Sequence, residues 1–131
     1  MIGLDSNILI RYFAQDEPDQ SRRATVLIER HLSARTPGFV SVVALAETMW
    51  VLQRVYRLRK DQVALIIEQM LGADALIVEH EAAVATALTA LWEDRGDFAD
   101  ALIGAINAQS GCSRTITFDR KALRLPGFEL L

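Results

Sequence analysis

The chain has very few of the side chains that build disulfides, zinc sites or thiol active sites. It contains one cysteine, Cys112, and two histidines. A single cysteine cannot form an internal disulfide, and no histidine lies near Cys112 in the sequence as a partner for thiol catalysis or for zinc. We therefore interpret Cys112 as a small residue near a helix end, and catalytic chemistry must come from other residue types.

Long apolar runs and a basic excess are also missing. The longest stretch without a charged residue, 101–113, falls short of the roughly 18 apolar residues that a membrane span requires. Asp5 interrupts the apolar start of the chain, and no basic segment precedes it as in a signal peptide. These absences predict a cytoplasmic protein that does not span a membrane. The net charge of −3 argues against nucleic acid as a partner, unless bound cations offset some of the acids.

The chain does contain enough apolar sequence for one domain. Its 131 residues are 51% hydrophobic and 24% charged, which fits a single compact domain spanning residues 1–131. Short apolar segments that predict strands alternate with helical patterns. We therefore expect an α/β fold with a central, mostly parallel sheet of about four to five strands and helices on both faces. The predicted strands are 1–4, 39–40, 75–78, 115–118 and 128–131.

Local start signals place the helices between these strands. Ser6 offers helix-starting chemistry after the first strand, Pro18 fits the first turn of the next helix, and Ser41 is a predicted N-cap. Asp61 and Asp97 are predicted to cap two later helices. We expect three large aromatic side chains in the core, and any of them that is exposed instead is a candidate for contacts with a partner or a second copy: Trp50, Tyr56 and Trp92.

Five acidic residues stand alone among apolar neighbours. Asp5 and Asp119 follow predicted strands, and the carboxyl ends of parallel strands meet at one edge of a sheet, so both should face the same crevice. Asp97 and Asp100 are three residues apart on a predicted helix and therefore share a face. Glu47 lies within the third predicted helix and could project toward the same edge. Because desolvating an unpaired charge is costly, acids repeated in apolar surroundings predict a shared cation.

An all-carboxylate site indicates one class of chemistry. Oxygen ligands without His or Cys favour Mg²⁺ or Mn²⁺ over zinc or copper. Such ions, held by a few carboxylates with open water positions, suit phosphodiester hydrolysis by in-line attack on phosphorus. We therefore expect Mg²⁺ or Mn²⁺ as the cofactor, and we expect the ion to raise the melting temperature.

Each charged residue also has a simpler structural explanation. Asp5, Asp97 and Asp119 precede predicted helical turns and could be N-caps. Glu47 and Asp100 could each be neutralised by an arginine. The basic residues could bind phosphates or pair with nearby acids. They form two groups, namely Arg54, Arg57, Arg59 and Lys60, and Arg114, Arg120, Lys121 and Arg124.

Four segments match a known pattern. They are 2–9, Ser41 with the helix bearing Glu47, 98–103 with Ala105, and 115–119. On these segments the whole chain resembles the PIN-domain family, specifically the VapC-type toxins of bacterial and archaeal toxin–antitoxin pairs. The resemblance implies a three-layer α/β/α domain and a Mg²⁺- or Mn²⁺-dependent endoribonuclease. It also implies a homodimer, inhibition by a cognate VapB-type antitoxin, and an RNA substrate such as a tRNA or ribosomal RNA loop.

The resemblance further implies roles for individual residues. The metal ligands carried over are Asp5, Glu47, Asp100 and Asp119. Asp97 is interpreted as an acid that binds the metal or positions a water. Ser6 keeps a hydroxyl where the family often has threonine, Asn7 is expected to orient a ligand carboxylate, and Thr117 is expected to act similarly. The candidate RNA-binding residues are Arg11, Arg120 and Lys121.

Other functions are less compatible with these residues. An aspartyl phosphatase would carry Asp-x-Asp after its first strand, but Asn7 replaces the second acid. A receiver-like signalling domain needs a paired acid before its phosphorylated aspartate, and Asp5 has none beside it. The remaining alternative is a catalytically silent module that binds RNA or a protein through the crevice that these acids face.

Overall fold

The computed structural model describes residues 1–131 and divides into two compact units. The N-terminal unit is Met1–Glu79 and the C-terminal unit is His80–Leu131. Both combine helices with parallel strands, which confirms the predicted α/β class. The expectation of a single domain stays a prediction. None of the helices combines the length and the apolar content that crossing a membrane requires.

Three parallel strands form the sheet of the N-terminal unit. β1 (Ile2–Gly3) pairs with β2 (Gly38–Val40), and β2 pairs with β3 (Leu76–Val78), so the strand order is β1-β2-β3. The helices of this unit are α1 (Ser6–Ala14), α2 (Pro18–Val26), α3 (Val42–Arg54) and α4 (Lys60–Gly72). An unforeseen π-helical segment, Leu27–His31, continues α2.

Local chemistry sets most of the helix starts. Pro18 occupies the first turn of α2, and the Ser41 hydroxyl caps α3 by accepting a backbone N–H at 3.1 Å, both as predicted. The prediction that Asp61 caps a helix is wrong, because α4 begins earlier and Arg59 is its N-cap. The Gln62 side chain accepts the Arg59 N–H at 2.9 Å. Asp61 instead pairs with the Arg59 guanidinium at 3.1 Å.

The C-terminal unit packs two helices and a two-stranded parallel sheet. Its elements are α5 (Glu81–Trp92), α6 (Phe98–Gln109), β4 (Thr115–Thr117), a 3-10 helix (Arg120–Arg124) and β5 (Phe128–Leu130). On α5, Ala83, Ala87 and Ala90 are buried, and on α6 Phe98 and Leu102 are buried. Because alanine is small, it lets α5 and α6 pack closely.

All the predicted strands form, but hydrogen bonds group them into two sheets. β1, β2 and β3 make one sheet, and β4 and β5 make the other, with Thr115 opposite Phe128. Apolar runs and turn signals indicate where strands lie along the chain. Pairing depends on contacts between residues far apart in sequence, which the local pattern does not encode.

Candidate functional site

Asp5 and Glu47 are brought together by Ser6 in the N-terminal unit. Asp5 follows β1 with an extended backbone (φ −78°, ψ 156°), and its Oδ1 accepts the Ser6 N–H at 2.8 Å. The buried Ser6 hydroxyl donates to Oε1 of Glu47 at 2.9 Å. This hydroxyl therefore joins the start of α1 to α3 and holds the Glu47 carboxylate close to Asp5. Both acids remain exposed to solvent.

Asn7 has a different position from the one expected. Its side chain is exposed and forms no hydrogen bond to Asp5 or Glu47. It lies instead at a cavity of about 420 Å³ whose lining includes Arg11 and Arg23. In this structure, orientation of Glu47 comes from Ser6 rather than from Asn7.

The C-terminal unit holds the other three acids. Asp97 is the N-cap of α6, and its Oδ1 accepts the Ala99 N–H at 2.7 Å. Asp100 lies one turn further, in the first turn of α6. Asp119 follows β4, and its Oδ1 accepts the Lys121 N–H at 2.9 Å. Asp5, Asp97 and Asp119 therefore all have the geometry of helix caps.

Thr117 acts on the backbone of Asp119 rather than on its carboxylate. Its hydroxyl accepts the Asp119 N–H at 3.0 Å. This hydrogen bond fixes the turn that leaves β4 and so limits where the Asp119 side chain can point.

Asp100 is electrostatically strained by its surroundings. Burial raises the pKa of the Asp100 carboxyl, and repulsion by the negative charges of Asp97 and Asp119 raises it further. The Asp100 side chain forms no hydrogen bond or ion pair that would offset this repulsion. A cation at this position would lower the free energy of the ionised carboxylate.

The five singled-out acids share the absence of an ion pair. None of them pairs with a lysine, arginine or histidine, so the explanation by an arginine partner does not hold for Glu47 or Asp100. Ion pairs with arginine are formed by other acids, namely Asp16, Asp19, Asp61, Glu93 and Glu129. Six further acids also lack an ion pair, namely Glu17, Glu29, Glu68, Asp74, Glu79 and Glu81, so this absence alone does not distinguish the five.

The oxygen-only donor set fits a hard divalent cation. No group of three or more His, Cys, Asp or Glu side chains is arranged to hold a metal ion, and the carboxylates of Asp5, Asp97 and Asp119 are turned onto nearby backbone amides. Such amide contacts are weak enough for a metal ion to displace, since a net hydrogen bond contributes about 1 kcal/mol. The shared metal site stays a prediction.

The predicted RNA-binding residues fall into two kinds. Arg11 is held within its own unit by an ion pair with Asp16 at 3.2 Å and by hydrogen bonds to Gln20 and to the Tyr56 hydroxyl. Arg120 and Lys121 are exposed on the 3-10 helix that follows Asp119, and neither forms an ion pair. Arg120 and Lys121 can therefore reach a phosphate without first breaking an internal contact.

The exposure of the aromatic residues corrects one expectation about the core. Trp50 is 57% exposed and Trp92 is 47% exposed, so the prediction that both lie in the core is wrong, whereas Tyr56 is half-buried. Trp50 follows Glu47 by three residues on α3, which places the two on the same face of the helix. The exposed Trp50 and Trp92 therefore remain candidates for contacts, the alternative that the sequence left open for them.

Comparison with known proteins gives a match to a protein family. The family model described as PIN domain matches residues 2–127, a range that includes all five acids. No curated protein matches the chain.

Proposed function

The chain belongs to the PIN-domain family, and from this premise we propose that it is a metal-dependent endoribonuclease that acts as the toxin of a toxin–antitoxin pair. PIN domains have a three-layer α/β/α fold and are nucleases of RNA or DNA that generally use divalent metal ions. The family therefore supplies the nuclease class. The RNA substrate, the choice of Mg²⁺ or Mn²⁺ and the toxin role are the proposal.

One observation carries the proposal for this chain. The Asp100 carboxyl is partly buried and forms no hydrogen bond or ion pair, and its pKa is raised by burial and by the negative charges of Asp97 and Asp119. A divalent cation beside these three carboxylates would offset their repulsion and favour the ionised form of Asp100.

We assign the metal ligands as Asp5, Glu47, Asp100 and Asp119. The support is the family membership and the donor chemistry, because carboxylate oxygens without His or Cys favour Mg²⁺ or Mn²⁺. An ion bound there would activate a water and neutralise charge on the scissile phosphate. Asp97 is assigned to positioning, because its carboxylate caps α6 and its charge raises the pKa of Asp100.

Other residues of the chain have distinct supporting tasks. Ser6 holds the Glu47 carboxylate through its hydroxyl, and Thr117 fixes the backbone of Asp119. Arg120 and Lys121, without internal partners, supply positive charge for the phosphates of the substrate. Arg11 has a smaller part in RNA binding, because Asp16 already neutralises it.

The partners in this proposal are a second copy of the chain and a small antitoxin of the VapB type. The resemblance to VapC-type toxins supports both partners, and it also supports a tRNA or ribosomal RNA loop as the substrate.

The toxin role can be tested by growth, because expression of the chain without its antitoxin should slow it. Harmless expression of a chain already proven to cleave RNA would contradict the toxin role.

The alternative is a catalytically silent module that binds RNA or a protein. The observation that favours it is the capping geometry, because Asp5, Asp97 and Asp119 each accept a backbone N–H and so have a structural task without a metal. The same acids would then be caps alone, and Asp100 would be an uncompensated charge.

Cleavage of total cellular RNA separates these two functions. Purified chain is incubated with Mg²⁺, Mn²⁺ or EDTA, and new RNA ends are mapped for the wild type, Asp100→Asn and the control Asp19→Asn. We expect discrete metal-dependent cuts by the wild type and the control, and a loss of orders of magnitude for Asp100→Asn with the fold retained. Absence of cuts from folded chain free of antitoxin would favour the silent module.

A further inference from the structure

We propose that Trp50 and Arg54 form a platform on which one base of a single-stranded RNA substrate stacks beside Glu47. This inference rests on the proposed nuclease function and names how the substrate is held. The platform is the outer face of α3, which bears Val43, Glu47, Trp50 and Arg54.

The helical period of α3 creates this face. Ala44, Leu45, Thr48, Met49 and Leu52 are buried on the inner side of the helix. Val43, Glu47, Trp50 and Arg54 are exposed, and their spacing of three and four residues stacks them on the opposite side. A group that contacts the Trp50 ring therefore lies within one helical turn of the Glu47 carboxylate.

The Trp50 ring is already positioned by a cation. The Arg54 Cζ lies 6.0 Å from the centroid of the Trp50 ring, within the range of a cation–π interaction. Trp50 is nevertheless 57% exposed, so ring area remains open to solvent. An exposed indole ordered by an arginine is the type of surface on which an unpaired base stacks.

The charges around the platform fit a phosphate backbone. Arg54 and Arg57 form no ion pair, whereas their neighbour Arg59 pairs with Asp61 at 3.1 Å. Arg57 follows α3 in a left-handed backbone conformation (φ 60°). Two guanidinium groups without acidic partners near the end of α3 would attract the phosphates that flank the stacked base.

A protein partner fits this face less well than RNA does. The face alternates apolar and charged side chains, so Val43 and Trp50 do not join into a continuous apolar patch. The core of a protein interface is depleted in charged groups, yet Glu47 and Arg54 interrupt the face. Both charges have a use if the occupant is RNA, because Glu47 is a proposed ligand and Arg54 contacts base and phosphate.

The test is a double-perturbation cycle in which the Trp50 indole, one RNA base, or both are removed. An RNA oligonucleotide that the wild type cleaves at one site is resynthesised with a single abasic residue at each position flanking that site. The value of kcat/KM is measured for the wild type, Trp50→Ala, Trp50→Phe and the control Trp92→Ala. Circular dichroism and sedimentation establish the fold and the oligomeric state of each variant.

We expect Trp50→Ala to lower kcat/KM on intact RNA by about 5- to 150-fold, the range that loss of one base–aromatic stack produces. Trp50→Phe should retain most of the rate, and Trp92→Ala should match the wild type. One abasic position should slow the wild type by a similar factor and leave Trp50→Ala unaffected. Equal sensitivity of both proteins to every abasic position would overturn the proposal.

Two further outcomes are also decisive. If Trp50→Ala dissociates a dimer and high protein concentration restores cleavage, the face is an interface between copies of the chain and the proposal fails.

If the wild type cleaves no RNA, the nuclease function fails, and the fluorescence of Trp50 then tests whether RNA binds the platform. In Trp92→Phe the only tryptophan is Trp50. Its emission in EDTA should be quenched by single-stranded RNA, and unchanged emission would overturn the platform.

Discussion

Asp100 differs from its neighbours because it is partly buried and has no compensating contact. Burial raises the pKa of its carboxyl most, and the negative charges of Asp97 and Asp119 raise it further. A carboxyl whose folded pKa lies above its unfolded pKa adds stability while protonated, and that stability is lost as pH rises from the unfolded value of 3.8 through the folded one. At neutral pH without metal, the ionised Asp100 therefore opposes folding.

The first prediction follows from the raised pKa of Asp100. Without metal at pH 7, Asp100→Asn should unfold with a free energy equal to or above that of the wild type, by at most about 1 kcal/mol because solvent screens the group. The difference should vanish at pH 3, where the wild-type carboxyl is protonated. Thermal melts at both pH values measure it, and a destabilised variant at pH 7 would show that Asp100 has a favourable partner.

The second prediction concerns Ser6. Its hydroxyl is the donor that fixes Glu47, at 2.9 Å, and the side chain is buried. Ser6→Ala should lower activity or metal affinity by about 10- to 100-fold, the range for a lost contact to a ligand. Ser6→Thr keeps the hydroxyl and should retain more activity. Equal losses in the two variants would point to packing rather than to the hydrogen bond.

At the scale of elements, the sequence predicted where helices begin better than it predicted which side of a helix is buried. Ser41, Pro18 and Asp97 act within one turn of the chain, so the sequence predicted their positions at helix starts. The exposure of Trp50 depends on which side of α3 meets the rest of the unit, and a large aromatic residue alone does not indicate that side. The grouping of strands into two sheets likewise depends on distant contacts.

The packing of α6 against β5 gives the third prediction. A Cβ on Gly104 would lie 2.5 Å from Cε2 of Phe128, so Gly104→Ala forces the ring to move. The expected loss is about 1–3 kcal/mol of unfolding free energy, although alanine favours helix more than glycine does. Denaturant titration measures the loss.

Matched variants separate this clash from other effects of the substitution. Gly72 lies at the end of α4 with open space at its Cβ position, so Gly72→Ala should be neutral or slightly stabilising. A smaller side chain at position 128 should relieve the clash, and Gly104→Ala should therefore cost less in a Phe128→Leu background. An undiminished loss in that background would contradict the assignment.

At the scale of the whole molecule, a chain with net charge −3 must still attract a polyanion. Local positive charge explains how it can do so, and the fourth prediction tests it. The double substitution Arg120→Ala and Lys121→Ala should weaken RNA binding and reduce the salt dependence of log K by about 1–2 units of slope. The control Arg22→Ala and Arg23→Ala removes two exposed arginines that pair with Asp19 and should change the slope less.

The sequence singled out the acids of the proposed site but could not establish their convergence. Carboxylates in apolar surroundings after strands are visible in the sequence, and the repulsion of the partly buried Asp100 by Asp97 and Asp119 agrees with the inference of a shared cation. Their capping contacts with backbone amides belong to the chain without metal. A measurement of metal binding tests whether acids of both units hold one ion.

That measurement is a Mn²⁺ titration by calorimetry of the wild type, Asp5→Asn, Asp119→Asn and the control Asp61→Asn. Asp5 belongs to the N-terminal unit and Asp119 to the C-terminal unit. We predict that the wild type and the control bind Mn²⁺ alike and that either site variant weakens the same binding event by tenfold or more. Unchanged binding in both site variants, or no binding by the wild type at millimolar Mn²⁺, would contradict a shared metal site.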